Sequence, residues 1–201
     1  INAKGPNISK EEVDEFFISL KEISGDDIIV ISGSLPYSLD EDFYKKVIET
    51  TGARFTIDIA DKRVLDYLKY KPLLIKPNKE ELGKIFETEI TDENMVKYAK
   101  KLNQLGAQNV IVSLGAEGSI FVDDKIALRA KPIKGKLVNS VGSGDSMVGG
   151  FVYGLVNAYD KTDAYKLAAA CGSATAFSPD IAERTMINNI LREVEVEEIG
   201  N

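Results

Sequence analysis

The sequence of 201 residues contains no histidine and only one cysteine, Cys171. The absence of histidine excludes a Ser-His-Asp triad, a Cys-His dyad, a histidine general base and a histidine zinc site within this chain. A single cysteine cannot form an internal disulfide, which is typical of a reducing compartment, and we expect the protein in the cytoplasm. Any chemistry must therefore rely on carboxylates, amines, hydroxyls, backbone amides or a bound ion.

Long apolar runs and an excess of positive charge are lacking as well. No stretch reaches the length of a membrane span, and no signal-peptide pattern opens the chain. The net charge of -7 argues against nucleic acid or an anionic membrane as the main partner. We therefore expect no nucleic-acid partner and no membrane association. Since 44% of the residues are hydrophobic, the chain can bury a core, and its length fits a single α/β domain over residues 1–201.

Apolar, β-rich runs alternate with helical segments along the sequence. This alternation predicts parallel βαβ units with helices on both faces of the sheet. The predicted fold class is therefore α/β, a three-layer α/β/α sandwich with a largely parallel sheet. A hairpin over 118–131 and two helices from Gly144 to Phe177 follow, while the charged tail beyond Ser178 has no clear pattern. The predicted strands are 27–32, 54–60, 73–78 and 109–115, and the predicted helices around them are 10–23, 40–52, 61–70, 79–86 and 91–106.

Polar or glycine-rich residues follow each predicted strand. In open parallel sheets, ligands bind beyond the carboxyl ends of the strands. Each ending also has an ordinary explanation, because glycines form turns and Asn or Asp often caps a helix. Their coincidence at one edge of the sheet favours a binding site there. The residues concerned are Ser34 after the first strand, Asp58 near the end of the second, Asn78 and Glu81 at and just beyond the end of the third, and 113–118 at the end of the fourth.

The segment V-G-S-G-D-S at 141–146 has the strongest functional signal. Gly142 and Gly144 can take backbone angles that let successive N–H groups converge on one point. If a helix begins here, its unpaired N–H groups and the positive end of its dipole form an anion hole suited to phosphate. The alternative is a structural turn in which Asp145 only offsets the helix dipole. In the functional interpretation, Asp145 is a general base for a substrate hydroxyl.

The sequence also contains a small-residue segment that could approach a nucleotide, S-L-G-A-E-G at 113–118. Taken alone, this pattern is weak. A G-x-x-x-x-G-K-[ST] loop and a G-x-G-x-x-G turn after a first strand are both missing, which excludes the two common phosphate-binding scaffolds. Any phosphate site must use a different scaffold.

Four motifs, taken together and in order, resemble those of the ribokinase-like (PfkB) carbohydrate kinases. V-G-S-G-D-S with the apolar, glycine-rich helix after it resembles the family's C-terminal signature. K-P-N-K-E-E at 76–81 resembles its N-x-x-E motif, and S-L-G-A-E-G resembles its nucleotide loop. S-G-S-L-P at 32–36 recurs in the sugar-phosphate kinases of the family. The resemblance covers essentially the whole chain.

The resemblance implies a ribokinase-like fold and an ATP- and Mg²⁺-dependent kinase that acts on a sugar phosphate. It is strongest to the bacterial 1-phosphofructokinases, which implies fructose 1-phosphate as acceptor and fructose 1,6-bisphosphate as product, with tagatose 6-phosphate as the alternative acceptor. A nucleotide-binding module without catalysis remains a further alternative. The family's N-terminal strands, sugar motif and lid have no counterpart here, so we expect an inactive fragment of a longer, homodimeric parent.

The resemblance also implies roles by position. Asp145 would contact the sugar phosphate and take the proton from its hydroxyl, and the amides of Gly142, Ser143 and Gly144 would hold the transferring phosphoryl group. Asn78 would bind the triphosphate, while Glu81 and Asp58 would bind Mg²⁺ through water. Ser34 would touch the sugar phosphate, and the ATP site would be lined by Ser113, Leu114, Gly115, Ala116, Glu117, Gly118, Gly144, Cys171 and Ala174.

Overall fold

A computed structural model describes residues 5–60 and 62–200 and contains one central sheet. Within these residues the sheet has seven strands, in the order β1 to β7. The first four strands pair in parallel, and β5, β6 and β7 are added antiparallel. The strands are β1 Ile28–Ser32, β2 Arg54–Asp58, β3 Leu74–Ile75, β4 Val110–Ser113, β5 Ser119–Val122, β6 Ala127–Ala130 and β7 Val196–Glu198.

Helices connect the parallel strands and follow the hairpin. None of those in the described ranges is long and apolar enough to cross a membrane. Short 3₁₀ turns extend α1 and α3 and follow β4. The helices are α1 Lys10–Ser19, α2 Phe43–Thr51, α3 Val64–Tyr67, α4 Lys79–Phe86, α5 Met95–Gln104, α6 Ser143–Val156, α7 Lys161–Ala176 and α8 Arg184–Leu191.

The sheet separates two hydrophobic cores, which confirms the predicted three-layer α/β/α architecture. Val110 and Val112 of β4 face the core formed with α2 to α5, whereas Ile111 faces the core formed with α6 to α8. All three side chains have 0% exposure. Burial of a side chain of this size contributes about 1.5–3 kcal/mol. A central strand buried on both faces explains why it reads as an unbroken apolar run in the sequence.

Local signals in the sequence place several helix ends correctly. A capping box, which the S-x-x-E spacing of Ser9 and Glu12 favours, forms at the start of α1: Glu12 N–H donates to Ser9 Oγ, and the Ser9 N–H donates to the Glu12 carboxylate. At the end of α2, Gly52 takes a left-handed conformation with φ 58°, which a residue without Cβ adopts at little cost. Helix α4 spans the predicted residues 79–86.

Other elements differ from the predictions. The predicted strand 73–78 keeps only Leu74 and Ile75, because Pro77 has no N–H for the ladder. The charged tail forms α8 and β7, although its sequence has no clear pattern. Ile190 and Val194 of this tail are buried in the second core, and β7 pairs with the exposed edge of β6. These elements depend on contacts with distant parts of the chain.

The two ends of the sheet are covered unequally. Ile29 and Ile31 of β1 pack toward the first core. The second core, in contrast, includes no described residue from β1 or β2. Val30 lies on that second face and is 49% exposed. Among the described residues β1 is also an edge strand, so this end of the sheet presents backbone groups without a strand partner there, together with an apolar side chain.

Candidate active site

The carboxyl ends of the parallel strands lie side by side, as the sequence predicts. Ser32 pairs with Asp58 across β1 and β2, and Asn78, just beyond β3, forms a bridge with Ser113 at the end of β4. The Gly33 amide donates to the Asp58 carbonyl at 3.2 Å. The exposed loop that carries Ser34 is therefore held beside the end of β2.

Lys76 lies at the centre of this edge, although the sequence motifs did not single it out. Its Nζ lies 3.1 Å from Asp58 Oδ2, and the two side chains are 7% and 19% exposed. A Cβ added at Gly144 would lie 2.8 Å from the same Nζ. The first turn of α6 therefore passes directly over a buried ammonium group. The sequence offered one signal for Lys76, which is a charged residue directly after the apolar run L-L-I.

Two further carboxylates lie within electrostatic range of Asp58. Burial raises the pKa of Asp58, the Lys76 ammonium opposes that rise, and the carboxylates of Glu81 and Asp145 add to it. Nearby negative charges of this kind are relieved by a cation. Among residues 5–60 and 62–200, no group of three or more histidine, cysteine, aspartate or glutamate side chains can hold a metal directly. The carboxylates of Asp58, Glu81 and Asp145 are the groups at this edge that could meet a hydrated cation.

Asn78 and Glu81 form a second capping box at the start of α4. Glu81 N–H donates to Asn78 Oδ1 and Asn78 N–H donates to Glu81 Oε2, both at 2.8 Å. The single side-chain oxygen of Asn78 and one carboxylate oxygen of Glu81 therefore cap the helix, as the ordinary explanation of these residues expects. The cap also holds both side chains in fixed positions. The Asn78 amide nitrogen and the second Glu81 oxygen remain for a ligand or a bound water.

The glycine turn begins α6 as predicted. Gly142, the N-cap residue, has φ 79°, which favours glycine. The Ser143 amide donates to the Ser140 carbonyl at 3.3 Å, and its hydroxyl donates to the Gly172 carbonyl of α7 at 2.9 Å. In the described part of the chain, the amides of Gly142 and Gly144 have no recorded acceptor. Two of the three predicted amides thus remain available for an anion, and the third is shared with the turn.

Asp145 is the third residue of α6 and is exposed. Its carboxylate makes no hydrogen bond or ion pair with any residue of the described ranges. The effect of Asp145 on the pKa of Asp58 shows that it lies within electrostatic range of the Lys76 cluster. An unengaged carboxylate beside an anion-binding turn can accept a proton from a bound hydroxyl. We call Asp58, Lys76, Asn78, Glu81 and Asp145 the strand-end cluster.

A cavity of about 510 Å³ adjoins the strand-end cluster. We call it the α7 cavity. It is bounded by the loop after β4, by the β5–β6 hairpin and by the facing sides of α6 and α7, and its volume suits a nucleotide-sized ligand. Predicted site residues that line it are Asn78, Ser113, Gly115, Ala116, Gly118, Ser143 and Gly144, joined by Lys76, Ser119, Ala130, Ala169, Gly172, Ser173 and Ala176 among others.

Four residues predicted for the ATP site do not line this cavity. Leu114 packs against the first core, and Glu117 is exposed. Cys171 faces α6, where its sulfur would lie 2.9 Å from a Cβ at Gly150, and Ala174 is fully buried in the second core. Burial also raises the pKa of the Cys171 thiol to about 11. Other faces of α7 and of the loop after β4 line the cavity.

The remaining predicted residues lie outside the α7 cavity. Ser34, Asp58, Glu81, Gly142 and Asp145 are absent from its lining. Asp58 and Glu81, with Asp145, belong to the more open strand-end cluster. A larger cavity of about 650 Å³ borders α5 and includes Ile120 and Arg129, but it contains no predicted site residue. The predicted site residues that the structure brings together therefore lie at the strand ends and around the α7 cavity.

Comparisons with known proteins agree with this architecture. Residues 1–185 match the pfkB family of carbohydrate kinases. The chain is 40% identical over 200 residues to the 1-phosphofructokinase of Bacillus subtilis (strain 168), covering 98% of this chain and 66% of that protein. It is 31% identical over 198 residues to the D-tagatose-1-phosphate kinase of Bacillus licheniformis, covering 96% of this chain and 65% of that protein.

A solved structure shows the same fold. The crystal structure of phosphofructokinase-2 from Escherichia coli in complex with substrates and products superposes with a TM-score of 0.90 and 27% sequence identity. The match covers 96% of this chain and 65% of that structure. The chain thus spans 65–66% of the length of these three relatives.

Proposed function

The chain belongs to the pfkB family of carbohydrate kinases, and we propose that the protein transfers the γ-phosphoryl group of ATP to a hydroxyl of a sugar phosphate. One observation carries this proposal. The unengaged carboxylate of Asp145 stands one residue after Gly144, whose backbone lies over the buried ammonium of Lys76. A base and a positively charged phosphate site are thus adjacent, at the rim of a nucleotide-sized cavity.

In the proposed mechanism, ATP lies in the α7 cavity with its γ-phosphate at the start of α6. Asp145 accepts the proton of the acceptor hydroxyl, and the hydroxyl oxygen forms a bond to the γ-phosphorus. The bond from that phosphorus to the bridging oxygen breaks, and ADP leaves. The amides of Gly142 and Gly144, together with Lys76, stabilise the negative charge of the transferring group. A positioned general base typically contributes on the order of 10²–10⁴ in rate.

Mg²⁺ bound to the triphosphate would be held through water by Asp58 and Glu81. When bound, it supplies positive charge to the phosphate oxygens. The pKa of Asp58 is raised partly by neighbouring carboxylates, so a divalent cation at this place relieves their repulsion. Asn78, fixed by its capping box, would orient the triphosphate.

Fructose 1-phosphate is the acceptor that we propose, with fructose 1,6-bisphosphate as the product. This choice of acceptor rests on the relative that is 40% identical to the chain and is named 1-phosphofructokinase. The second candidate is tagatose 1-phosphate, after the relative named D-tagatose-1-phosphate kinase. This replaces the tagatose 6-phosphate suggested by the sequence motifs. The two ketose 1-phosphates differ only in configuration at a single carbon, so the same phosphate contacts could serve both, with Ser34 contacting the sugar.

A nucleotide-binding module without catalysis is the alternative from another class. Such a module needs an anion site but no base. The exposed, unengaged carboxylate of Asp145 is therefore the feature that favours catalysis over binding alone.

The decisive experiment combines calorimetry with a kinase assay. The chain is titrated with Mg·ATP, and the full-length protein is assayed with fructose 1-phosphate, tagatose 1-phosphate, fructose 6-phosphate and fructose. We expect the chain to bind Mg·ATP, the full-length protein to prefer fructose 1-phosphate, and the chain alone to turn over almost none, because loss of acceptor positioning can remove about 7–11 kcal/mol of barrier reduction. Binding without turnover of any sugar by the full-length protein would favour the non-catalytic module.

A further inference from the structure

The hydroxyl of Tyr165 is buried between α7 and the β5–β6 hairpin, and the residue has 0% exposure. It donates to the Ser119 carbonyl at 2.7 Å and accepts from the Ala130 amide at 3.0 Å. Ser119 Oγ lies 2.9 Å away and supplies the remaining hydrogen bond. One donation and two acceptances use the full capacity of a phenol hydroxyl.

These contacts join α7 to the strand ends that form one wall of the α7 cavity. Ser119 and Ala130 are register partners across β5 and β6, and both line the cavity. Next to them, a Cβ at Gly118 would lie 2.2 Å from the Ala130 carbonyl oxygen. The backbone of this wall therefore has no room for a side chain at Gly118. The single hydroxyl of Tyr165 bonds to groups on both of its strands.

A second wall is formed by the same helix that carries Tyr165. Ala169, Gly172 and Ala176 line the cavity, and they share a face of α7 with Tyr165 because they recur at helical spacing. Helix α7 is in turn pressed onto α6, since a Cβ at Gly172 would lie 2.4 Å from Met147 Cγ. The hydroxyl of Tyr165 therefore links the two walls while lying outside the cavity itself.

We propose that Tyr165 is a positioning residue that sets the width of the α7 cavity for a purine base, an inference that rests on the proposed use of ATP. Alanines and glycines, together with the larger apolar side chains of Ile133, Leu137, Met147 and Phe177, make up most of the lining and offer apolar surface to a ring. Without the hydroxyl, the Ala130 amide and the Ser119 carbonyl lose their shared partner, and the hairpin wall must shift for them to regain hydrogen bonds. Affinity for ATP then falls, and discrimination between purine bases weakens.

The test compares Tyr165→Phe with Lys161→Met in the chain. Lys161 Nζ lies 2.6 Å from Asp123 Oδ2 and joins the same helix to the turn end of the hairpin, away from the cavity. Dissociation constants for Mg·ATP and Mg·GTP are measured by calorimetry, and stability by thermal unfolding. We expect Tyr165→Phe to raise the dissociation constant for ATP about fivefold and to lower the preference for ATP over GTP, as loss of a buried hydrogen bond predicts. Lys161→Met should change stability but neither binding quantity.

Several outcomes would overturn the inference. Unchanged ATP affinity and base preference in folded Tyr165→Phe would remove the role of Tyr165 and leave the proposed function intact. Equal losses of ATP affinity in Tyr165→Phe and Lys161→Met would indicate a general loss of packing around α7 and no specific role for Tyr165. No binding of Mg·ATP by the unsubstituted chain would overturn the proposed function as well, so the two failures are distinguishable. If Tyr165→Phe does not fold, Ser119→Ala removes one of the same hydrogen bonds, and unchanged binding in that variant counts against the inference.

Discussion

The two halves of the candidate site differ in how completely the chain encloses them. The α7 cavity has walls on both sides, built from the hairpin and from helices whose close packing depends on Gly150 and Gly172. The strand-end cluster is open toward β1 and β2, where no described residue of the second core covers the sheet and Val30 is exposed. Under the proposed function, ATP and the acceptor contact different parts of the structure, and we expect mutations to affect their binding separately.

The largest effect should come from Asp145, the proposed base in the open half of the site. We expect Asp145→Asn in the full-length protein to lower kcat by on the order of 10²–10⁴, because the amide keeps the shape of the carboxylate but cannot accept a proton. The ATP dissociation constant should stay nearly unchanged, since Asp145 does not line the α7 cavity. Steady-state kinetics and calorimetry measure the two quantities. Turnover close to that of the unsubstituted protein would remove Asp145 from the role of base.

The second-largest effect is expected at Gly144, where the two halves of the candidate site meet. Gly144→Val places a side chain against Lys76 Nζ, which would lie 2.8 Å from the new Cβ, and displaces the ammonium from the anion site. We expect ATP affinity in the chain to fall about tenfold or more, as the loss of a hydrogen bond to a charged group predicts. The fold should persist by circular dichroism, because the displaced group is the end of a flexible side chain.

Gly149→Ala is the matched control for this substitution. It lies in the same helix, and a Cβ there has no neighbour within 4 Å. Its ATP affinity should equal that of the unsubstituted chain, with a small gain in stability. Normal ATP binding by Gly144→Val would mean that the turn has only a structural role.

A smaller effect concerns the open end of the sheet. The exposed edge of β1 and the exposed Val30 favour self-association of the chain. We expect Val30→Lys to shift the chain toward the monomer, because a charge on the exposed face opposes edge pairing. Leu105→Lys, at an exposed position at the end of α5, should not change the mass. Sedimentation equilibrium measures this, and a chain that is monomeric without any substitution would contradict the expectation.

The smallest effect is the pH dependence of stability caused by Asp58. Burial raises its pKa in the folded protein above the ordinary value of 3.8, so the folded state keeps a proton that the unfolded state has already released. The stability from this group is therefore fully present below pH 3.8 and declines as the pH rises toward the folded pKa. Asp58→Asn removes this titration.

Urea unfolding of both proteins between about pH 3 and pH 7 tests this sign. The difference in unfolding free energy should move in favour of Asp58→Asn as the pH rises. Loss of the ion pair to Lys76 lowers the variant's stability but does not reverse that slope. A difference that is constant with pH, or that moves in favour of aspartate, would show that burial does not dominate the pKa of Asp58.

Features that depend on neighbouring residues were predictable from the sequence alone. The capping boxes of Ser9 with Glu12 and of Asn78 with Glu81 follow from side chains three residues apart. The start of α6 follows from Gly142, which takes a left-handed conformation there. Alternation of apolar strands and helices likewise predicted the three layers and the edge at which the polar residues meet. Each of these features arises from backbone preference or from a periodic apolar pattern.

Features that depend on distant contacts were decided only by the tertiary structure. Lys76 became part of the site because Asp58, distant in sequence, pairs with its ammonium under the first turn of α6. The face of α7 that lines the cavity, with Gly172 in place of Cys171, was decided by how closely that helix packs against α6. The charged tail forms α8 and β7 because α8 packs against the second core and β7 pairs with the edge of β6. Sequence periodicity contains no information about which distant surfaces meet, so these outcomes follow from packing and burial.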